Sequence, residues 1–460
     1  MRKARRYILP LYLMLGACMP VAPTDTTTRS AASLESNLPP MKSFSVPRPT
    51  PPMGSNSDIA RDFLDLAFSL ESGRGLQRMT RFEEPIRVRV TGTPPPNLAP
   101  DLNRLLHRLR TEAGIDISRT DNGTANVTIQ AVTRAEIRQN LPTAACFVVP
   151  NVSSLKEYSA ARRSNKVSWS RLKSRQRLAI FLPNDASPQE ARDCLHEELA
   201  QALGPLNDLY RLPDSVFNDD NVHTVLTGFD MLILRAYYDP ELHNGMSRNE
   251  VADRLPAILA RINPAGQNGV ARRLSKTPRV WIDAVQTALG PGASPAERRN
   301  AATEALKVAT AMGWTDHRRA FSHYAMGRLL QAIDPEAAQD HFVLAQRYFG
   351  TSPETRLHRA YVASQLAAYA ISANRPEDAL YLISPHLGTA AQHENAALLA
   401  TLMMLRAEAL EMSGRVSEGR QVRLDSLGWA RYGFGSDWAV RAKLREIGSL
   451  SPLRRRRGAL

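Results

Sequence analysis

Along the first half of the chain the apolar positions change period several times. At 58–70 they recur as Ile59, Phe63, Leu64, Ala67 and Leu70, a helical spacing that turns one face inward. At 86–90 the run Ile-Arg-Val-Arg-Val alternates strictly, as a half-buried strand does. A second amphipathic helix is predicted over 98–113, with Leu102, Leu105, Leu106 and Leu109 on one side. Alternation returns at 126–130, and apolar runs at 146–149 and 178–182 predict further strands. The order helix, strand, helix and then strands indicates an α+β or mixed α/β layer spanning 58–262.

The segment 187–204 reads as a helix with marked ends. Ser187 is a good N-cap, Pro188 suits the first helical position, Glu190 would complete a capping box, and Gly204 would stop the helix. From Pro295 onward the chain is rich in Ala and Leu at helical spacing, which predicts an all-α domain over 293–450. Three helix–turn–helix units align on turns beginning at Asp334, Arg375 and Arg415, with offsets of 41 and 40 residues. The helices before these turns mix small and large residues as stacked pairs require. The pattern resembles a degenerate tetratricopeptide-like array, with an irregular helical bundle as the alternative. A repeat array would offer a concave surface for a protein or peptide. Residues 263–292 are expected to be a linker, either a hinge or a part of one of the flanking domains.

At 460 residues, with 43% hydrophobic and 23% charged residues, the composition is that of a globular protein and excludes wholesale disorder. No run of 18 apolar residues occurs, so no spanning helix is expected. The formal net charge of +14 is unevenly placed. Four basic residues lie at 1–6 and four more at 454–457, in a basic tail over 451–460, so the body carries only about +6. That balance calls for no nucleic-acid partner.

Residues 1–18 run from a basic start through a short apolar stretch to small residues, the signature of an export signal. Leu15-Gly16-Ala17-Cys18 resembles a bacterial lipobox, in which Cys18 is lipidated and becomes the mature N-terminus after removal of a signal peptide at 1–17. Met19 follows the cysteine, so outer-membrane sorting, facing the periplasm of the cell envelope, is expected. Residues 18–57 are rich in Pro, Ser and Thr and read as a tether. Cys146 and Cys194 would then lie in an oxidising compartment and are expected to form a disulfide, two buried free thiols being the alternative.

Within the 187–204 helix, Glu197 and Gln201 are one turn apart and share a face, with Glu198 between them. This is the geometry of the H-E-x-x-H zinc peptidase motif, in which two ligands flank a general base. The stretch 197–207 parallels H-E-x-x-H-x-x-G-x-x-H, with Glu197, Gln201 and Asn207 at the three histidine positions and Glu198 and Gly204 matching outright. Downstream, Ser215-Val216-Phe217 resembles the S-[IV]-M stretch of the metzincin Met-turn. Leu226-Thr227 with Asp230 and Met231 resembles the helix that closes that fold. The chain is thus similar to metzincin-like (zincin) peptidases whose ligands have changed. The stretch 58–262 also resembles the bacterial domain of unknown function numbered 2927, through Glu197, Glu198, Gln201, Leu203, Gly204, Asn207, Asp208, Ser215, Val216, Phe217, Asn218, Asp219 and Asp220.

The resemblance implies a metal position at Glu197, Gln201 and Asn207 and a base at Glu198. The donor set opposes it, because zinc favours imidazole and thiolate while Gln201 and Asn207 offer neutral amide oxygens. We therefore expect no resident cofactor, with an oxygen-ligated divalent metal ion as the alternative. His196 is expected to be a surface or packing histidine, and Phe217 to pack where the Met-turn methionine usually lies. Two functions follow: a non-catalytic scaffold binding an envelope protein or peptide along an edge strand at 178–182, or an atypical hydrolase using Glu198.

Overall fold

The computed structural model describes residues 38–44, 49–272 and 274–452. The expected lipidation at Cys18 and the basic run 454–457 lie outside the described residues. Helix α1 (Asn56–Ala67) leads to β1 (Ile86–Gly92), α2 (Leu98–Glu112), β2 (Ile117–Arg119) and β3 (Val127–Val132). Then follow α3 (Arg134–Asn140), β4 (Phe147–Pro150), α4 (Leu155–Ala161), β5 (Leu178–Pro183) and α5 (Pro188–Leu203). Helices α6 (Gly228–Tyr237) and α7 (Arg248–Ile262) complete the first region.

The strands form one sheet of order β2-β1-β3-β5-β4. Four run parallel, and β4 lies antiparallel to β5. Every residue of β5 is buried, which explains its unbroken apolar run: it sits inside the sheet with both faces covered. The stretch 178–182 is therefore an interior strand, and the edge beside it is β4. Helices α1, α2, α5, α6 and α7 supply Phe63, Leu106, Leu199, Ile233 and Leu255 to the core that the sheet shares.

Helix α5 starts as its sequence dictates, with the Ser187 side chain accepting from the Glu190 N–H at 3.2 Å and Pro188 in the first turn. The expected capping box is only half made. The Glu190 carboxylate turns instead to Arg134 of α3, at 2.6 and 3.0 Å. At the other end, a Cβ on Gly204 would stand 3.0 Å from the buried Tyr237 ring, so a larger residue there would need that ring to give way by a few tenths of an ångström. The expected disulfide is present: Cys146 and Cys194 are bonded, tying the start of β4 to α5.

The rest of the chain is helical: α8 (Arg279–Leu289), α9 (Pro295–Ala311), α10 (His317–Leu330), α11 (Pro335–Phe349), α12 (Arg356–Ser372), α13 (Pro376–Ile383), α14 (Leu387–Gln392), α15 (Ala396–Met412), α16 (Val416–Phe434) and α17 (Asp437–Gly448). The turns at Asp334, Arg375 and Arg415 join α10 to α11, α12 to α13 and α15 to α16, each a packed hairpin. Two boundaries differ from expectation. Residues 263–292 are not a bare linker, because α8 buries Trp281 completely against α9 and α10. Nor is the described part of 18–57 a free tether. Phe44 stacks on Trp429 with ring centroids 4.6 Å apart, and the Arg104 guanidinium donates to its carbonyl at 2.7 Å. Phe44, a lone aromatic within a Pro-rich stretch, provides the packing that its composition concealed. The described residues form one compact unit, and none of their helices is long and apolar enough to cross a membrane.

Candidate functional site

A cavity of about 1170 Å³ opens between the sheet region and the helical region. One wall is the run 144–148, which leads into β4, together with Glu197, Glu198 and Gln201 of α5. Among the described residues β4 pairs only with β5, so its other edge has no strand partner, although all four of its residues are buried. Glu71, just past α1, and the segment 219–222 form the adjoining wall. Helices α8 and α10 close the far side with Gln286, Phe321, Tyr324 and Arg328.

The cavity is held in shape by buried polar contacts. The Arg175 guanidinium caps the end of α5, donating to the carbonyls of Gln201 at 2.6 Å, Ala202 at 2.8 Å and Gly204 at 2.5 Å. Across the cavity mouth, Tyr210 and Gln286 both donate to Asp219, at 3.0 and 2.9 Å. Ser215 and Asp230, one from each of the two downstream motif segments, are joined at 2.5 Å. Asp230 also accepts from the N–H groups of Val216 and Thr227, at 3.1 and 2.7 Å, so one carboxylate pins the turn and caps α6. Phe217 is fully buried, as expected of a residue packing in this turn.

Of the residues singled out by sequence, Glu197, Glu198 and Gln201 line the cavity together. The Gln201 amide donates to Glu71 at 3.3 Å. Asn207 is committed elsewhere: its amide donates to the Asp65 carbonyl of α1 at 3.0 Å. The next residue, Asp208, joins the acidic group and hydrogen-bonds Glu71. His196 is a buried packing residue whose Nδ1 accepts from the Leu226 N–H at 3.1 Å. Burial, then the charges of Arg108 and Arg192, hold its pKa well below the usual value. Sequence reading missed Glu71 and Arg175. Each lies far from the helix motif in sequence, and only the fold brings it there.

The site is therefore a set of five carboxyl groups in mutual electrostatic contact. Burial, then the charges of Glu71 and Asp219, pushes the Glu197 carboxyl up to about 8. Burial, then Glu197 and Glu71, raises Glu198 well above its ordinary range, and its Oε2 is buried without a hydrogen-bond partner. Burial also raises Asp208, with Glu71 next in effect, and Glu71 itself, with Asp219 next. Asp219 opens to cavity solvent, yet the surrounding protein still raises its carboxyl. Such a set resists full ionisation and gains on meeting a positive charge. Among the described residues, only Asp214, His223 and His393 bring three His, Cys, Asp or Glu ligand atoms within 4.8 Å of one another, and they belong to a different place.

Neither a curated protein nor a solved structure matches this chain. Residues 56–257 carry the whole sheet and the acidic wall from Glu71 to Asp220. They match the family described as protein of unknown function (DUF2927).

Proposed function

We propose that the chain is an envelope scaffold that binds an extended peptide along the open edge of β4, without cleaving it, and receives a cationic side chain among Glu71, Glu197, Asp208 and Asp219. One observation carries this reading: Phe147 and Val148 of the terminal strand β4 line the same cavity as the carboxyls of Glu71, Glu197, Glu198 and Asp219. An extended segment gains main-chain hydrogen bonds from a strand edge, and side-chain pockets select its sequence. A metzincin-like ancestry fits the same facts. An antiparallel edge strand lies beside the α5 helix, the turn at Ser215 is bonded to Asp230, and the imidazole positions hold Glu197, Gln201 and Asn207. The hairpins of the helical region, with turns offset by 41 and 40 residues, fit a tetratricopeptide-like array that closes the cleft. Export and lipid anchoring through Cys18 agree with the Cys146–Cys194 disulfide, which forms in oxidising compartments.

The hydrolase reading has one observation in its favour, the unpartnered Oε2 of Glu198 at the cavity. A general base must be ionised, and burial with the neighbouring charges of Glu197 and Glu71 works against ionising Glu198. Fluorescence anisotropy of labelled peptides against the full chain tests the proposal. Lysine- or arginine-containing peptides are expected to bind and emerge intact by mass spectrometry, and Glu197→Gln with Asp219→Asn is expected to abolish the preference for cationic peptides. Cleavage that disappears in Glu198→Gln would establish the hydrolase instead. Equal binding of acidic and basic peptides would remove the acidic pocket from the account.

A further inference from the structure

We propose that Asp214, His223 and His393 form a site for a divalent transition-metal ion, best matched by zinc, that fastens the 214–223 segment to the helical region. Their ligand atoms all lie within 4.8 Å of one another. Zinc holds nitrogen and carboxylate ligands at about 2.0–2.2 Å, so tetrahedral neighbours stand roughly 3.4 Å apart, and small side-chain rotations close this set. Two imidazoles and a carboxylate suit zinc far better than calcium or magnesium, which take oxygen ligands. A fourth position would remain for water.

Three further observations point to a ligand. Asp214 and His393 both line a second, small cavity of about 30 Å³, close to the volume of one water molecule. Among the described residues, nothing hydrogen-bonds either ring nitrogen of His393 or the Asp214 carboxylate, although both residues are largely enclosed. His223 Nε2 lies 2.9 Å from the Pro213 carbonyl and 3.8 Å from Asp214 Oδ1, so with Nε2 donating to that carbonyl the ring would turn its Nδ1 lone pair to the ion. A backbone carbonyl in that role is a common support for a metal-binding histidine. Arg108, which lines the cavity, is neutralised by both oxygens of Glu112 at 2.7 and 2.9 Å, and Arg272 by Glu354 at 2.9 Å, while the charge of Arg356 also reaches Asp214 and His393.

The consequence is mechanical. Asp214 adjoins the turn that Asp230 pins, His223 ends the segment carrying Asp219 and Asp220, and His393 caps α14. The ion would bridge the two regions beside the contact between Asp220 and His358 of α12, made at 2.8 Å. It would thereby fix the segment that holds one wall of the acidic cavity. The site stands apart from the Glu197 position and does not depend on the peptide-binding reading.

The test is titration of zinc chloride into full-length protein stripped of metal by dialysis against a chelator, read by calorimetry. Cobalt(II) is used in parallel for its visible absorption. One equivalent of zinc is expected, with affinity lowered about tenfold or more by His223→Ala and by His393→Ala. Cobalt bands of a tetrahedral nitrogen–oxygen site in the unaltered chain support the site even where a variant fails to fold. Lack of stoichiometric zinc in the folded unaltered chain overturns it. So does zinc that survives both histidine variants, or zinc lost in Glu197→Ala but kept in His393→Ala.

Discussion

The Arg192 guanidinium of α5 meets the Glu394 carboxylate, ahead of α15, at 2.9 Å with both side chains almost completely buried. Arg192 also donates to the Glu394 carbonyl and stacks over Tyr432, 5.0 Å from the ring centroid. A charge taken that far from water is tolerated only with its partner in place. Beside it, Gln189 donates to Asn395 at 3.2 Å, and Tyr432 donates to Asp101 of α2 at 2.8 Å. The sheet region and the helical region are thus joined through a dry polar contact. Glu394→Ala, which strands Arg192, is expected to cost about 3–5 kcal/mol. Replacing both residues with methionine is expected to recover much of that loss. Urea denaturation followed by tryptophan fluorescence and circular dichroism checks both. The unaltered chain should show coincident transitions, because neither region can shed the other without exposing this pair.

The Cys146–Cys194 bridge closes a loop across 48 positions of sequence. In the chain-entropy account, such a loop stabilises the fold by about 4 kcal/mol. Cys146 also lines the cavity at the start of β4. The double variant Cys146→Ser with Cys194→Ser is therefore expected to unfold at lower urea and to bind peptide more weakly. Reduction of the unaltered chain should reproduce both effects, as read by anisotropy with and without dithiothreitol.

The pH dependence of stability follows from the acidic wall. Glu197 titrates near 8 in the folded chain and near 4.5 unfolded, so between these values the folded state holds a proton that the unfolded state has released. Stability from this group is full below about pH 4.5 and falls as pH rises through about 8. Several buried histidines act in the opposite sense at lower pH. His223 and His317 are depressed to about 4, mainly by burial, so their contribution is lost as pH falls below the ordinary histidine value of 6.5. The window from about 6.5 to 8.5 isolates the carboxyl effect. Melting temperature is expected to fall across it, and Glu197→Gln is expected to flatten that slope. A slope unchanged by the substitution would place the coupling elsewhere.

Much of this architecture was readable from pattern alone. The alternation at 86–90, the apolar run at 178–182 and the cap at Ser187 each reflect a local rule that packing did not override. The status of 178–182 as an interior strand was not readable, because an apolar run of that length does not reveal which neighbours cover it. The same limit applies to the site. Glu197 and Gln201 share a helix face by geometry, so their meeting was foreseeable, whereas Glu71 reaches them only through the packing of the segment after α1. Asn207 and Asp208 lie beyond the end of α5 in irregular chain, where spacing gives no direction. The amide turned to Asp65 while the neighbouring acid joined the cluster. Residues 263–292 looked like a linker because α8 is short, yet Trp281 buries its whole surface and donates to Ser322 at 2.9 Å.

The Ser215–Asp230 contact offers the sharpest link between fold and site. Asp230 is buried, and burial raises its carboxyl to about 6 against the hydrogen bonds from Ser215, Thr227 and Val216 that favour the charge. Ser215→Ala removes one of these donors and leaves a buried oxygen short of a partner, which costs about 1–3 kcal/mol. The same substitution removes the acceptor of the Phe217 N–H, made at 2.9 Å, and so loosens the turn leading to Asp219. Stability and cationic-peptide affinity should therefore fall together in Ser215→Ala. Thr227→Ala is expected to spare the turn more, since it removes the hydroxyl that caps α6 and donates to the Asp214 carbonyl at 2.9 Å while leaving the Ser215 contacts intact. Comparing the two variants by thermal melting and by anisotropy separates a general loss of stability from a displaced Asp219. If peptide affinity tracks melting temperature equally in both, the turn supports the fold without shaping the site.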